Sequence, residues 1–179
     1  MLRLNHPARG PVPGHAGSVT TKQTPVAVPV GSEAPDFTLR DQFNEQVTLS
    51  SFRGRRAVLL VFYPATFTGI CESELTRLRD DFAFFETHRI QVMALSVDST
   101  YAQRTWAQQL GFSFPVLSDF WPHGGVAQQY GVFDSGVGRA LRASFLIDTQ
   151  GVIRWRVLHG LGEARDHNEY ANAIAALTG

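Results

Sequence analysis

The chain has 179 residues, 44% of them hydrophobic and 18% charged, enough for one domain to bury its own core without a second. Its 16 Lys and Arg balance 16 Asp and Glu, and the basic residues are dispersed or in short clusters such as Arg53, Arg55 and Arg56, so neither nucleic acid nor a membrane surface is an expected partner. The single cysteine excludes an internal disulfide, and with it a small secreted scaffold; a reducing compartment, the cytoplasm, is the expected location.

Residues 1 to 30 hold Pro7, Pro11, Pro13, Pro25 and Pro29 among several glycines, with no acid before Glu33. This composition reads as a disordered N-terminal extension, with the folded domain over 31 to 179. The extension lacks the apolar core of a signal peptide. Arg3, Arg9 and Lys22 without acids would suit a transit peptide, but the prolines oppose its amphipathic helix. Nowhere does the chain offer the ~18 consecutive apolar residues of a membrane span.

Residues 36 to 40 and 46 to 50 alternate apolar and polar about a turn containing Asp41 and Asn44, which predicts a hairpin. Residues 57 to 63 are a continuous apolar run, the pattern of a strand buried on both faces of a parallel sheet. From Cys71 onward Leu75, Leu78, Phe82 and Phe85 recur at steps of four and three, one stripe of a helix reaching about His88. Residues 90 to 97 form a second buried strand, completing a right-handed βαβ unit. Asp98 and Ser99 can cap a helix over 100 to 110. A short strand near 115 to 117, a Trp-Pro-His-Gly-Gly loop and a helix near 126 to 130 read as an insertion. A hairpin of 144 to 148 with 152 to 158, and a helix from about Arg165 to Leu177, close the chain.

The expected fold is therefore α/β: βαβα followed by ββα, the thioredoxin-like layout, with an N-terminal β-hairpin in front and an insertion before the final β-hairpin. In such a sheet the ligand crevice lies beyond the carboxyl ends of the parallel strands. The junction at 64 to 71 falls there.

Cys71 stands in the first turn of its helix, where backbone N–H groups lack intrahelical acceptors and the helix dipole favours an anion, so a thiolate is stabilised. Thr68, three residues earlier, can cap the N3 amide and remain near the sulfur; cap and catalytic donor are compatible roles. Pro64, without a donor and with a fixed φ, suits the strand end and a dry pocket wall. The alternative for a lone cysteine on an apolar stripe is a small buried hydrophobe. The six histidines show no metal-ligand spacing, so no metal or cofactor is expected, and the two Gly-x-Gly sequences beginning at Gly136 and Gly160 read as turns.

The spacing Pro64-x-x-x-Thr68-x-x-Cys71 between strand and helix resembles the active-site signature of the peroxiredoxins. The longer stretch 67 to 71 with Glu74 and Leu75, and then 117 to 124, is similar to the alkyl hydroperoxide reductase E subfamily of one-cysteine peroxiredoxins. The resemblance covers about Gly31 to the C-terminus; Glu72-Ser73 replaces the Pro-Thr found after the cysteine in many relatives. It implies that Cys71 is the peroxidatic nucleophile, shielded by Pro64 and hydrogen-bonded by Thr68, with Arg142 supplying a cation and Glu74 as the acidic residue near that arginine. From the residues alone nothing selects Arg142 over Arg139 among 15 arginines, and Glu74 could pair with Arg77 on its own helix.

An ordinary thiol, pKa ~8.5, is only ~3% ionised at pH 7, so a lowered pKa can gain about 30-fold at most, and weaker nucleophilicity takes part of that back. The main effect is expected from donors placed on the peroxide. The resemblance implies a hydroperoxide substrate, hydrogen peroxide or organic, and a Cys71 sulfenic acid. With no second cysteine, an external thiol must resolve it: a low-molecular-weight thiol or a thioredoxin- or glutaredoxin-like protein. A homodimer built near Trp121-Pro122 is the family expectation. Two other functions compete, a cysteine hydrolase or transferase, which needs a base by the thiol, and a peroxide sensor that passes its oxidation to a partner protein.

Overall fold

The structure, a computed structural model, describes residues 26–178; residues 1–25, most of the expected extension, and Gly179 lie outside the described residues. In chain order come the hairpin β1 (Thr38–Arg40) and β2 (Gln46–Thr48), a 3-10 turn (Leu49–Phe52), β3 (Ala57–Phe62), α1 (Gly69–Asp80), α2 (Phe82–Thr87), β4 (Ile90–Ser96), α3 (Thr100–Leu110) and β5 (Val116–Ser118). There follow α4 (Gly125–Gln129), a small hairpin of β6 (Phe133–Asp134) and β7 (Arg139–Ala140), then β8 (Arg142–Ile147), β9 (Ile153–His159) and α5 (Asn168–Thr178).

One seven-stranded sheet runs β2-β1-β5-β4-β3-β8-β9. The strands β3, β4 and β5 are parallel, whereas β8 joins the other side of β3 antiparallel. This is the thioredoxin-like arrangement expected, with its N-terminal hairpin and its insertion. Every residue of β3 is buried, as the unbroken apolar run requires of a strand covered on both faces. Alternation along β3 builds two cores. Val58, Leu60 and Phe62 face Tyr130, Phe145 and the insertion, while Leu59 and Val61, with Tyr63 beyond the strand, face α1, Trp106 of α3 and Ile174 of α5.

Several boundaries differ from expectation. The helix foreseen from 71 to 88 is two helices, broken at Asp81, whose φ of −91° and ψ of 14° leave the helical range. The break turns the stripe: Leu75, Leu78 and Phe85 are buried, but Phe82 is 37% exposed. The strand of the last hairpin begins at Arg142 instead of 144, and the final helix begins at Asn168, leaving Arg165 in the preceding loop. The hairpin of β6 and β7 was not foreseen.

Residues 26–30, counted with the extension from composition, pack on the domain. Ala27 is buried, Val28 N–H donates to Tyr130 O at 3.1 Å, and Arg156 Nη1 donates to the carbonyls of Ala27 and Val28. Gly131, at φ 65°, makes room: a β-carbon there would stand 2.0 Å from Val26 O. Among the described residues no helix is long and apolar enough to cross a membrane.

Candidate active site

The buried strand β3 ends at Phe62, and the chain turns through 64–68 into α1. Thr68 has extended backbone angles, φ −114° and ψ 137°, and holds the N-cap position; Cys71 is the third helical residue. Because Cys71 shares its helical face with Leu75 and Leu78, its side chain points inward onto the sheet, and the residue has no exposed surface. Pro64 is buried at the strand end, as a pocket wall would be.

Thr68 does not cap with its side chain. Its Oγ1 donates to Ala65 O at 2.9 Å instead of accepting from the N3 amide. The hydroxyl proton therefore closes the turn that leads into the helix. Among the described residues, the hydrogen-bond partner of the sulfur is Arg142 Nη1, at 3.4 Å.

Arg142 reaches Cys71 because β8 runs antiparallel beside β3: Phe62 faces Ala143, so the residue before Ala143 lies just past the end of β3. Its guanidinium is fixed on both sides, Nε donating to Leu161 O at 2.7 Å and Nη1 to Glu74 Oε2 at 2.8 Å. Arg139, the competing choice, is exposed in β7. Glu74 turns away from Arg77 into the site and accepts from Arg165 as well, Oε2 from Nη2 at 2.7 Å and Oε1 from the backbone N–H at 2.9 Å.

Arg165 was missed from the sequence. Its side chain is buried, and besides Glu74 its Nη1 donates to Phe62 O at 2.7 Å, Ala143 O at 3.0 Å and Ser144 Oγ at 3.3 Å, clamping the ends of β3 and β8. In the sequence Arg165 stands only as the first residue of the expected final helix, indistinguishable from a solvated helix-end arginine.

The cluster thus holds two guanidinium groups and one carboxylate, all largely withdrawn from water. Its charge sums to one uncompensated positive, which an anion at Sγ would complete. Burial pushes the Tyr63 phenol far above its ordinary range; it also pushes Tyr170 up, against the opposing pull of Arg165 and the bond to Ser144. Both phenols are therefore neutral walls. What the arrangement can do is hold a sulfur-centred nucleophile beside a fixed cationic donor, withdrawn from water.

Residues 30–156 match the AhpC/TSA family. The chain is 50% identical over 149 residues to alkyl hydroperoxide reductase E of Mycobacterium tuberculosis, spanning 83% of this chain and 97% of that protein. Among solved structures it is similar to the reduced 2-Cys peroxiredoxin of Plasmodium vivax, with a TM-score of 0.76, 30% identity and 83% and 81% of the two chains covered. It is also similar to the peroxidoxin BcpB of Mycobacterium tuberculosis, with a TM-score of 0.72, 29% identity and coverage of 83% and 95%.

Proposed function

We propose, on the premise that this chain belongs to the AhpC/TSA family and is a peroxiredoxin, that Cys71 is its peroxidatic nucleophile, with Arg142, Thr68 and Pro64 forming the peroxide pocket and Glu74 holding Arg142 in place. The chain is a thiol-dependent peroxidase, and its one cysteine fits a one-cysteine mechanism. The observation that carries the residue assignment is the 3.4 Å contact of Cys71 Sγ with a buried Arg142 whose cluster carries one excess positive charge.

In the oxidative step the thiolate attacks one peroxide oxygen, the S–O bond forms as the O–O bond breaks, and the departing oxygen leaves with a proton as water or alcohol. Arg142 Nη1 stands where it can follow the negative charge from sulfur to the departing oxygen. The Thr68 hydroxyl keeps its lone pairs for the peroxide proton. In the reductive steps an external thiol condenses with the sulfenic acid, releasing water, and a second thiol displaces Cys71 from the mixed disulfide. Low-molecular-weight thiols and thioredoxin- or glutaredoxin-like proteins both fit this role.

The sensor alternative has no support in the comparisons, whose relatives are named as reductases and peroxiredoxins. A cysteine that must return to the thiol suits a reducing compartment, and the cytoplasm is the location this reading favours. Self-association as a homodimer through Phe120 and Trp121, 55% and 81% exposed, accounts for two large apolar side chains in water; sedimentation at tens of micromolar giving only monomer would count against it.

Stopped-flow tryptophan fluorescence with hydrogen peroxide and an organic hydroperoxide, followed by intact mass, tests the assignment. Fast oxidation adding one oxygen, abolished in Cys71→Ser, is expected. A rate no greater than that of a free thiol would overturn it.

A further inference from the structure

The Thr68 hydroxyl and the first-turn amides of α1 are useful only if the loop 64–68 holds them in register with Arg142, and this loop contains a strained residue. Phe67 sits at φ 58°, in the left-handed region that a bulky side chain adopts only under strain. The residue is 56% exposed, with its ring centroid 6.3 Å from that of Trp106, so apolar burial does little to fix it. Something else must over-determine the conformation.

Beyond the first helical bond of α1, from Glu72 N–H to Thr68 O, the described loop 64–68 is tied to another element by the hydrogen bond from Thr66 N–H to Asp98 Oδ2, at 2.9 Å. Asp98 follows β4, and it is itself held. Its Oδ2 also accepts from Ser96 Oγ at 2.7 Å, and its carbonyl accepts from Ser118 Oγ at 2.6 Å. Ser96 Oγ accepts from Gln103 Nε2 at 3.0 Å, and Gln103, fully buried in α3, donates also to Leu117 O at 2.8 Å. A continuous hydrogen-bonded path thus joins the loop before Cys71 to the ends of β4 and β5 and to α3.

We infer that Asp98 is a positioning residue for peroxide reduction. Its carboxylate anchors the Thr66 amide and so sustains the left-handed turn at Phe67, which sets Thr68 and the first turn of α1 against Arg142. It touches neither sulfur nor Arg142. Its action is geometric, because placement of reacting groups within a fraction of an ångström decides the rate. The inference rests on the Cys71 assignment above.

The test is single-turnover oxidation of Asp98→Ala and Asp98→Asn by hydrogen peroxide, with Cys71→Ser alongside. Asp98→Ala is expected to oxidise about 10- to 100-fold more slowly per folded molecule, while the pH at which Cys71 becomes alkylated by iodoacetamide stays that of the wild type. Asp98→Asn, whose amide oxygen can accept the same two bonds, is expected to regain most of the rate. An unaltered rate in Asp98→Ala would overturn the inference, as would a slow Asp98→Asn that retained wild-type melting.

Hydrogen exchange in the wild-type protein gives a reading that does not depend on Asp98→Ala folding. The Thr66 amide is expected to be protected, and free exchange there would also overturn the proposal. Residual peroxidase activity in Cys71→Ser would instead refute the nucleophile assignment, so the two failures are separable.

Discussion

Arg142 Nη1 donates to two acceptors at once, Cys71 Sγ at 3.4 Å and Glu74 Oε2 at 2.8 Å, while Arg165 also holds Glu74, so removal of Arg142 should injure chemistry more than folding. Arg142→Ala is expected to lower the second-order rate of Cys71 oxidation by about 10²–10³-fold, the usual cost of one lost transition-state donor, read by stopped flow. Glu74→Ala leaves two buried guanidinium groups facing each other without their shared carboxylate. It is expected to cost about 3–5 kcal/mol in urea unfolding, as breaking a buried ion pair does. The legible part of this site was its local part. Pro64, Thr68 and Cys71 share one junction, so spacing and a strand-to-helix boundary reveal them together. Arg142 came only from the family pattern, and Arg165 not at all: its bonds to Glu74 span 91 residues and to Phe62 span 103, and no periodicity records such contacts. The local pairing of Glu74 with Arg77 lost to the two buried arginines for the same reason.

At the scale of elements, the longer strands and helices were legible because burial on one or two faces imposes a period. The break at Asp81 was not, since positions 71, 75, 78, 82 and 85 fit an unbroken helix equally well. Strands of two residues such as β6 and β7 are too short to carry a pattern. The start of α4, expected near 126 and found at Gly125, has glycine at its N-cap and so no side-chain cap of its own. The cap comes instead from Asp119, whose Oδ1 and Oδ2 accept the buried amides of Val126 at 3.0 Å and Ala127 at 2.9 Å. Asp119→Ala is expected to cost about 1–3 kcal/mol in urea unfolding by leaving both amides unpaired. The turn between β8 and β9 carries a pH signature. Burial tends to raise the Asp148 carboxyl, but the Val152 amide, Arg154 and the Gln150 amide outweigh it and hold the group below its ordinary 3.8. The native state therefore binds this proton less tightly than the unfolded chain. Its contribution is complete above 3.8 and fades as pH falls through the native value. Asp148→Asn should be less stable than the wild type at neutral pH and converge with it in acid, as melting temperatures across the acid range would record.

For the whole molecule, one cysteine means that no intrachain disulfide shields the oxidised sulfur. Excess peroxide without thiol is expected to add first one oxygen and then a second to the intact mass; thiol present from the start should leave the protein unaltered. The sheet bears on a different property. Its outermost strand on the Arg142 side is β9, seven residues long, and an open strand of that length is a template for pairing with another copy. Here the entrance is occupied: Gly31 N–H donates to Ile153 O, Ile153 N–H to Ser32 O, and Glu33 bridges Val152. Further along, Arg154 is half exposed, and Arg156 is turned onto Ala27 and Val28. Residues 31–33, at the start of the expected domain, guard this edge, and Ala27 and Val28, at the end of the expected extension, hold Arg156 beside it. Trimming the chain through residue 33 should leave the Cys71, Arg142 and Glu74 cluster in place yet turn a clear solution turbid on concentration, because the backbone N–H and C=O of Ile153 would stand open for one sheet to continue into the next.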